Sequence, residues 1–232
     1  MTLKDLVRPL PGLRHVLMLR HRILFRSSAA AYWERRYTHG GTSGVGSYGD
    51  LAKSKATFLN DFVRGHGIKS VVEFGCGDGN QLSLADYPSY VGLDVSRSAV
   101  ESCVRRFVDD PTKSFYLYDG DCFADNAQLF TADLALSLDV VYHLTDDKTF
   151  EAYMAHLFAA GKRFVVIYGT NIEISDVAPH VRHRAFSRWV DEHCPDWHLE
   201  QVATGLRSGP NLADFFVYER TASDVELEGL RT

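Results

Sequence analysis

Short apolar runs recur along the middle of the chain, at "SVVEFG" (70–75), "YVGLDV" (90–95), "SFYLYD" (114–119), "DLALSLD" (133–139) and "RFVVIYG" (163–169). Each is short and reads as a strand. Between them lie amphipathic stretches, "NQLSLADY", "SRSAVESCVRRFV", "CFADNAQLF" and "DDKTFEAYMAHLFAA", which the pattern predicts as helices. Strand and helix alternating in series imply a parallel sheet covered on both faces and joined by right-handed crossovers. After the fifth run the rhythm changes. A helix is predicted over "HVRHRAFSRWVDEHC", then "HLEQVAT" and "ADFFVYER" separated by "GLRSGPN", two strands close enough to pair as a hairpin at the sheet edge.

Upstream, "SSAAAYWERRY" reads as a helix with Ser27 or Ser28 as N-cap. The run "GGTSGVGSYG" (40–49) breaks it. Asp50 is the expected cap of a second helix, "DLAKSKATFLNDFVRGHG", with Leu51, Phe58, Leu59, Phe62 and Val63 on one face and Gly65 and Gly67 at its end. The expected organisation is a basic arm and glycine-rich flap over 1–49, an α/β domain over 50–220 and a loose polar tail over 221–232, with no internal repeat.

Composition changes this picture in three places. The chain has 232 residues and is 45% apolar, enough for one sizeable core. Net charge is −5, but residues 1–40 carry +6, leaving −11 for the remainder. The apolar piece of that arm, "HVLMLRHRILF", is interrupted by Arg20 and Arg22, so it reads as neither signal peptide nor membrane span. It reads as a basic helix lying on the protein's own body or on an anionic membrane surface. Cys76, Cys103, Cys122 and Cys194 form no C-x-x-C pair; they read as small core residues in a reducing compartment.

The chemistry is expected beyond the carboxyl ends of the strands. The first strand runs into "VVEFGCGDGNQ", where Gly75 and Gly77 permit a tight turn and close ligand approach and Glu73 precedes them. The second ends in Asp94, placed to accept two hydrogen bonds from a ribose, and the third in Asp119 and Asp121, placed for an adenine amino group. Taken singly, each acid has an ordinary alternative as a cap or turn residue. A nucleoside lying across the strand ends accounts for them together.

With these motifs the chain resembles the class I S-adenosylmethionine-dependent methyltransferases over about residues 70–220: "VVEFGCGDGNQ" as the glycine loop, "GLDVS" as the ribose-binding strand, "SLDVVYHL" as the fourth-strand motif. The resemblance implies a Rossmann-like, mostly parallel seven-stranded sheet of order 3-2-1-4-5-7-6 with strand seven antiparallel, helices on both faces and a helical N-terminal extension. "YWERRYTHGGTSGVGSYG" and "SLDVVYHL…HVRH" further resemble a bacterial group associated with surface-polysaccharide and glycolipid biosynthesis. The cofactor implied is S-adenosylmethionine, held by Trp33, Arg36, Glu73, Gly75, Gly77, Asp94, Val95, Asp119, Asp121 and Asp139. The acceptor side would comprise Tyr48, Tyr142, Arg182 and Arg184.

Two rivals read less well. A dinucleotide dehydrogenase needs G-x-G-x-x-G, whereas Gly79 comes one place early and position 80 is Asn. A P-loop needs a Lys-Ser/Thr that "GGTSGVGSYG" lacks, so that run reads as a flap over the cofactor, with Tyr32, Trp33, Arg36 and Tyr37 as walls or, alternatively, as packing. Transfer to a sugar hydroxyl profits from a general base. Among ten histidines, His180 or His183 is the expected base and His143 a shaping residue of the site. Asp139 and His143 alone are too few ligands for a metal. The expected partner is a glycan, glycolipid or other small acceptor, with no nucleic acid, since the core is acidic and lacks a base-methylation motif. The expected location is the cytoplasm, with membrane-surface contact through the arm. A small-metabolite methyltransferase and a non-catalytic cofactor-binding protein remain as alternatives.

Overall fold

The computed structural model describes residues 29–178, 180–206 and 212–221. Most of the basic arm, its N-cap at Ser27 or Ser28, the hairpin turn and the tail lie outside these. Seven strands form the main sheet: β1 (Val71–Phe74), β2 (Tyr90–Asp94), β3 (Lys113–Leu117), β4 (Ala132–Leu138), β5 (Gly161–Gly169), β8 (Trp197–Ala203) and β9 (Asp214–Arg220). They lie in the order β3-β2-β1-β4-β5-β9-β8. The first five are parallel and β9 runs antiparallel between β5 and β8, which is the expected order. A separate ribbon, β6 (Ile174–Ala178) with β7 (Val181–His183), is inserted after β5.

Five helices accompany the strands: α1 (Ala29–Thr38), α2 (Gly49–Gly65), α3 (Arg97–Arg106), α4 (Asp147–Ala160) and α5 (Phe186–His193). One apolar cluster joins α4 and α5 to one sheet face, through Met154, Leu157 and Phe186. A second joins α2 to the other, through Leu59, Phe62 and Val63. Burying such side chains is worth about 1.5–3 kcal/mol each, which makes the sheet rigid enough to present its upper loops precisely. Among the described residues no helix is long and apolar enough to cross a membrane.

Several local expectations are corrected. "NQLSLADY" contains only a 3₁₀ turn at Leu82–Leu84, because Pro88 disfavours helical backbone at the residue before it. "CFADNAQLF" is not helical: the Asp125 carboxylate accepts from the amides of Leu129 and Phe130 at 2.7 and 2.8 Å and satisfies the turn locally. The stretch from His180 splits into β7 and α5. Tyr48, not Asp50, occupies the N-cap position of α2, while Asp50 pairs with Lys53 on the surface. Cys76 and Cys103 are buried, but Cys122 is exposed.

Two polar contacts fix the upper end of the domain. Lys55 stands on the buried stripe of α2, 1% exposed, and its ammonium lies 2.5 Å from Asp139 Oδ2 at the end of β4. Asp139 also accepts from the Tyr142 hydroxyl at 3.0 Å and adopts φ +61°, a left-handed backbone that Asp and Asn tolerate better than most residues. At the other contact, Glu34 on α1 accepts from Ser96 Oγ, Ser98 N and Ser98 Oγ at 2.6, 3.1 and 2.7 Å. It thereby caps α3 from a neighbouring helix. Since α1 buries no residue fully, this cap is its principal polar anchor.

Breaking a buried pair by removing one partner typically costs about 3–5 kcal/mol. Lys55→Met and Asp139→Asn should each lower denaturant stability by that order, and the double variant should recover part of the loss; additive losses in a double-mutant cycle would show the two groups to be uncoupled. Glu34→Ala should leave the global midpoint nearly in place while amides of residues 30–38 exchange at least about tenfold faster. Unchanged exchange there would mean that α1 is held by packing alone.

Candidate functional site

Above the carboxyl ends of β1, β2, β3 and β4 lies a cavity of about 570 Å³, in the range of small-molecule sites. Its floor is the loop after β1. Gly77 adopts φ +60°, and a Cβ there would approach Ser43 Oγ to 2.3 Å, so only glycine suits both the backbone and the close approach of the flap. The Gly77 amide donates to Asp94 Oδ2 at 2.8 Å. Ser96 N donates to Asp94 Oδ1 at 2.9 Å. Asp94 thus closes a local turn onto Ser96, which caps α3 through its own hydroxyl, while each Asp94 carboxylate oxygen keeps a further lone pair for a ligand.

Burial dominates the electrostatics. Glu73 is 3% exposed and accepts from the Tyr90 hydroxyl at 2.7 Å; desolvation outweighs that bond and pushes its carboxyl up to about 7. Burial likewise raises Asp94 to about 6 against its two amide bonds. Asp78 is half-buried, yet the amides of Ser43 and Asn80 and the Tyr48 hydroxyl outweigh desolvation and hold it below the usual range. Six carboxylates line the cavity, those of Glu73, Asp94, Asp119, Asp121, Asp139 and Asp146, and among the described residues no lysine or arginine does. Lys55 pairs with Asp139 from the buried side of α2, and Lys148 pairs with Asp121 on the exposed surface.

The glycine-rich segment docks on this site as a cover. Ser43 N donates to Asp78 Oδ2 at 2.9 Å, Asp78 N donates to Ser43 Oγ at 2.9 Å, and Tyr48 Oη donates to Asp78 Oδ2 at 2.8 Å. A Cβ on Gly46 would come within 2.6 Å of Asp139 Oδ2, so the segment lies directly on the β4 end. Ser43 and Ser47 line the cavity with Trp33 and Tyr37 of α1. Arg36 lies 5.6 Å from the Trp33 ring and donates through Nε to the Thr42 carbonyl at 2.6 Å. It is not part of the wall.

Among the described histidines, His143 is the one on the wall. Its Nδ1 lies 2.9 Å from the His180 carbonyl oxygen, and since a carbonyl only accepts, Nδ1 carries the proton and Nε2 is left as an acceptor. Burial holds the ring near a pKa of about 4, so it is neutral at physiological pH. Trp33 meets it edge-on at 5.0 Å and His180 stacks on it at 5.8 Å. His180 and His183 do not line the cavity: His180 stacks between His143 and Tyr32, and His183 bonds to the Thr170 hydroxyl. Arg182 and Arg184 both pair with Asp147, and Arg184 also donates to the Leu144 carbonyl from a buried position over Phe150. Tyr142 is engaged by Asp139 and Tyr48 by Asp78. Those four side chains brace the cavity rather than line it.

Gly75, Val95, Asp119 and Asp121 also lie on the wall. Ser43, Asp78 and Lys55 were not singled out in the sequence. Lys55 carried a signal, a lysine interrupting the apolar stripe that Leu59, Phe62 and Val63 continue. Gln81, also not singled out, lines the cavity and donates through Nε2 to the Ala52 carbonyl at 3.0 Å, while its buried Oε1 has no protein partner.

No family model matches the chain. A small RNA 2'-O-methyltransferase of Rattus norvegicus is 29% identical over 150 residues, covering 58% of this chain and 37% of that protein. The Mus musculus protein of the same name is 28% identical over 147 residues with the same coverage. The chain therefore spans little more than a third of the length of these relatives. Their acceptor is nucleic acid, and this overturns the expectation that excluded nucleic acid as a partner; a charge census of a whole domain does not read the one face an acceptor touches. Among solved structures, the methyltransferase domain of bacterial CtHen1-C superposes with TM-score 0.61 at 18% identity over 75% of this chain and all of that one. The N-methyltransferase NodS of Bradyrhizobium japonicum WM9, with S-adenosyl-L-homocysteine, gives 0.63 at 14% over 84% and 99%. Magnesium protoporphyrin IX methyltransferase of Synechocystis PCC 6803, also with bound S-adenosylhomocysteine, gives 0.59 at 14% over 90% and 100%. With the strand order, the glycine loop and the antiparallel β9, these likenesses give the chain the fold of the class I S-adenosylmethionine-dependent methyltransferases.

Proposed function

We propose that this protein is an S-adenosylmethionine-dependent methyltransferase that methylates a sugar hydroxyl. The observation that carries the reading is a cavity at the strand ends lined by six carboxylates and, among the described residues, by no lysine or arginine. Such a wall favours a ligand with cationic groups and disfavours the pyrophosphate of a dinucleotide. The residues fit the cofactor: Asp94 has lone pairs for ribose hydroxyls, Asp119 and Asp121 on the same wall offer acceptors for an adenine amino group, and Gln81 Oε1 is a buried acceptor with no partner among the described residues. Bound there, the cofactor supplies a methyl group already activated by a positive sulfonium.

The protein's own contribution is positional and basic. Trp33, Tyr37 and the docked flap keep water from the cavity and hold the acceptor close, and near-attack positioning is worth up to about 7–11 kcal/mol. His143 Nε2, unprotonated and fixed in orientation by the Nδ1 contact, accepts the hydroxyl proton as the oxygen attacks. A sugar hydroxyl as acceptor is supported by the 2'-O-methyltransferase names of the two relatives, since the 2'-oxygen of RNA is a ribose hydroxyl. Membrane-surface contact through residues 1–28 stays a proposal from their sequence.

Calorimetry should show micromolar S-adenosylmethionine binding, no binding of NAD or NADP, and at least about tenfold weakening in Asp94→Ala; NAD binding would sink the reading. A pH signature follows. In the free protein the raised carboxyls of Glu73 and Asp94 are largely protonated below about 6, and their stabilising contribution is lost as pH rises through about 6–7. A cationic ligand favours the ionised forms, so affinity should rise from pH 5.5 to 8 with proton release, visible as buffer-dependent binding enthalpy. A flat affinity across that interval would remove the charge argument. His143→Ala should lower kcat by roughly 10²–10⁴ with cofactor affinity changed only a few-fold, whereas His183→Ala should stay within about tenfold of wild type; full turnover in His143→Ala would dismiss it as the base.

A further inference from the structure

At the end of the sheet remote from the cavity, three side chains with metal-ligating atoms meet on one face. The antiparallel register sets His198 of β8 directly opposite Glu219 of β9. Glu200 lies two residues beyond His198, and His198 Nε2 stands 3.4 Å from Glu200 Oε2 and 3.8 Å from Glu219 Oε2. One ligand atom from each of the three lies within 4.8 Å of the other two. For an ion bound tetrahedrally by nitrogen and oxygen at about 2.0–2.2 Å, the donors are separated by about 3.4 Å. The group is thus near closure before any ion arrives. Among the described residues neither carboxylate pairs with a lysine or arginine; their charged neighbour within ion-pair distance is His198.

We infer that His198, Glu200 and Glu219 bind a divalent ion of the zinc class, with water completing the shell. An imidazole with two carboxylates suits zinc, cobalt or nickel better than magnesium or calcium, which prefer oxygen alone. The β8–β9 ladder sets the backbone positions of His198 and Glu219, and Glu200 falls at the register shift between Leu199 and Gln201; strands of a packed sheet are the scaffold a metal site needs. The ion's role is a cross-strand staple. β8 is an edge strand held to the sheet through β9 alone, and the ligands sit where Phe164 at the start of β5 pairs with Glu219, whereas Gly169 and Asp214 mark the opposite end of the same pairing, toward the cavity. The site takes no part in methyl transfer and does not rest on that reading.

The test uses the full chain, stripped with a chelator and titrated with zinc chloride by calorimetry, then with cobalt(II) followed by visible absorption. One zinc ion per chain, a melting temperature raised by zinc, and tetrahedral cobalt bands are expected. His198→Ala and Glu219→Gln should each weaken zinc binding at least about tenfold, Glu200→Gln likewise, while the metal-free variants melt with the metal-free wild type and His193→Ala binds zinc normally. Absence of saturable zinc binding, equal affinity for magnesium, or binding unaffected by all three ligand variants would overturn the site.

Discussion

The buried ammonium of Lys55 is the constraint around which the upper end of this domain is arranged. It reaches from α2 to Asp139 at the tip of β4, and α2 is also the continuation of the flap, so one contact sets the distance between cover and floor. Asp139 accepts the Tyr142 hydroxyl as well and sits in a left-handed backbone conformation that stores of order 1–3 kcal/mol. That conformation turns the chain sharply after the strand. The turn delivers Val140 toward Gly75, whose missing Cβ would lie 2.5 Å from a Val140 methyl, and sends His143 to the cavity wall. An uncompensated lysine at this depth would be costly, so the pair explains at once why the helix, the flap and the post-β4 turn share one geometry.

The acidity of the cavity follows from the same architecture. Parallel strands end together, and carboxylates at successive ends are drawn into one space by the topology rather than by local sequence. Without a cation between them, Glu73 and Asp94 relieve the burial penalty by holding protons. A positively charged ligand removes the reason for those protons, so ligand charge and site ionisation are linked quantities. Of the two lysines that pair with wall carboxylates, Lys55 is buried behind Asp139 and Lys148 is solvent-exposed beside Asp121, and neither lines the cavity itself.

Most of the fold was legible in the chain because its strands are short, apolar and punctuated by glycine, and because alternation with helices leaves few topologies. The glycine loop, Asp94 and the edge hairpin were read from local spacing. What escaped reading was decided by tertiary contact or by side-chain competition for backbone. Asp125 replaced a helix by a turn, and α1 is tied down by Glu34 through two serines more than sixty residues away. Ser43 gave no signal within the glycine run; its partner Asp78 belongs to a loop that only the folded chain brings beneath it. Lys55 was visible as a charge on an apolar stripe, but its partner 84 residues on was not.

The histidines show why spacing alone misassigns a base. "HVRH" looks like a reactive cluster, yet in the fold it forms a layer behind His143: the His180 carbonyl accepts a hydrogen bond from His143 Nδ1, the His180 ring stacks on the His143 face, and His183 bonds to Thr170. Chemical competence here is set by which nitrogen is left unprotonated and by which ring borders the cavity. Both conditions select His143, since a backbone carbonyl fixes its tautomer without adding a charge that would raise its pKa strongly. A base near 4 is weak in equilibrium terms but remains unprotonated across the whole physiological range. General-base efficiency is greatest for a pKa near the operating pH, so under the proposed reading His143 contributes chiefly by holding an unprotonated nitrogen in one orientation against a donor that is already activated.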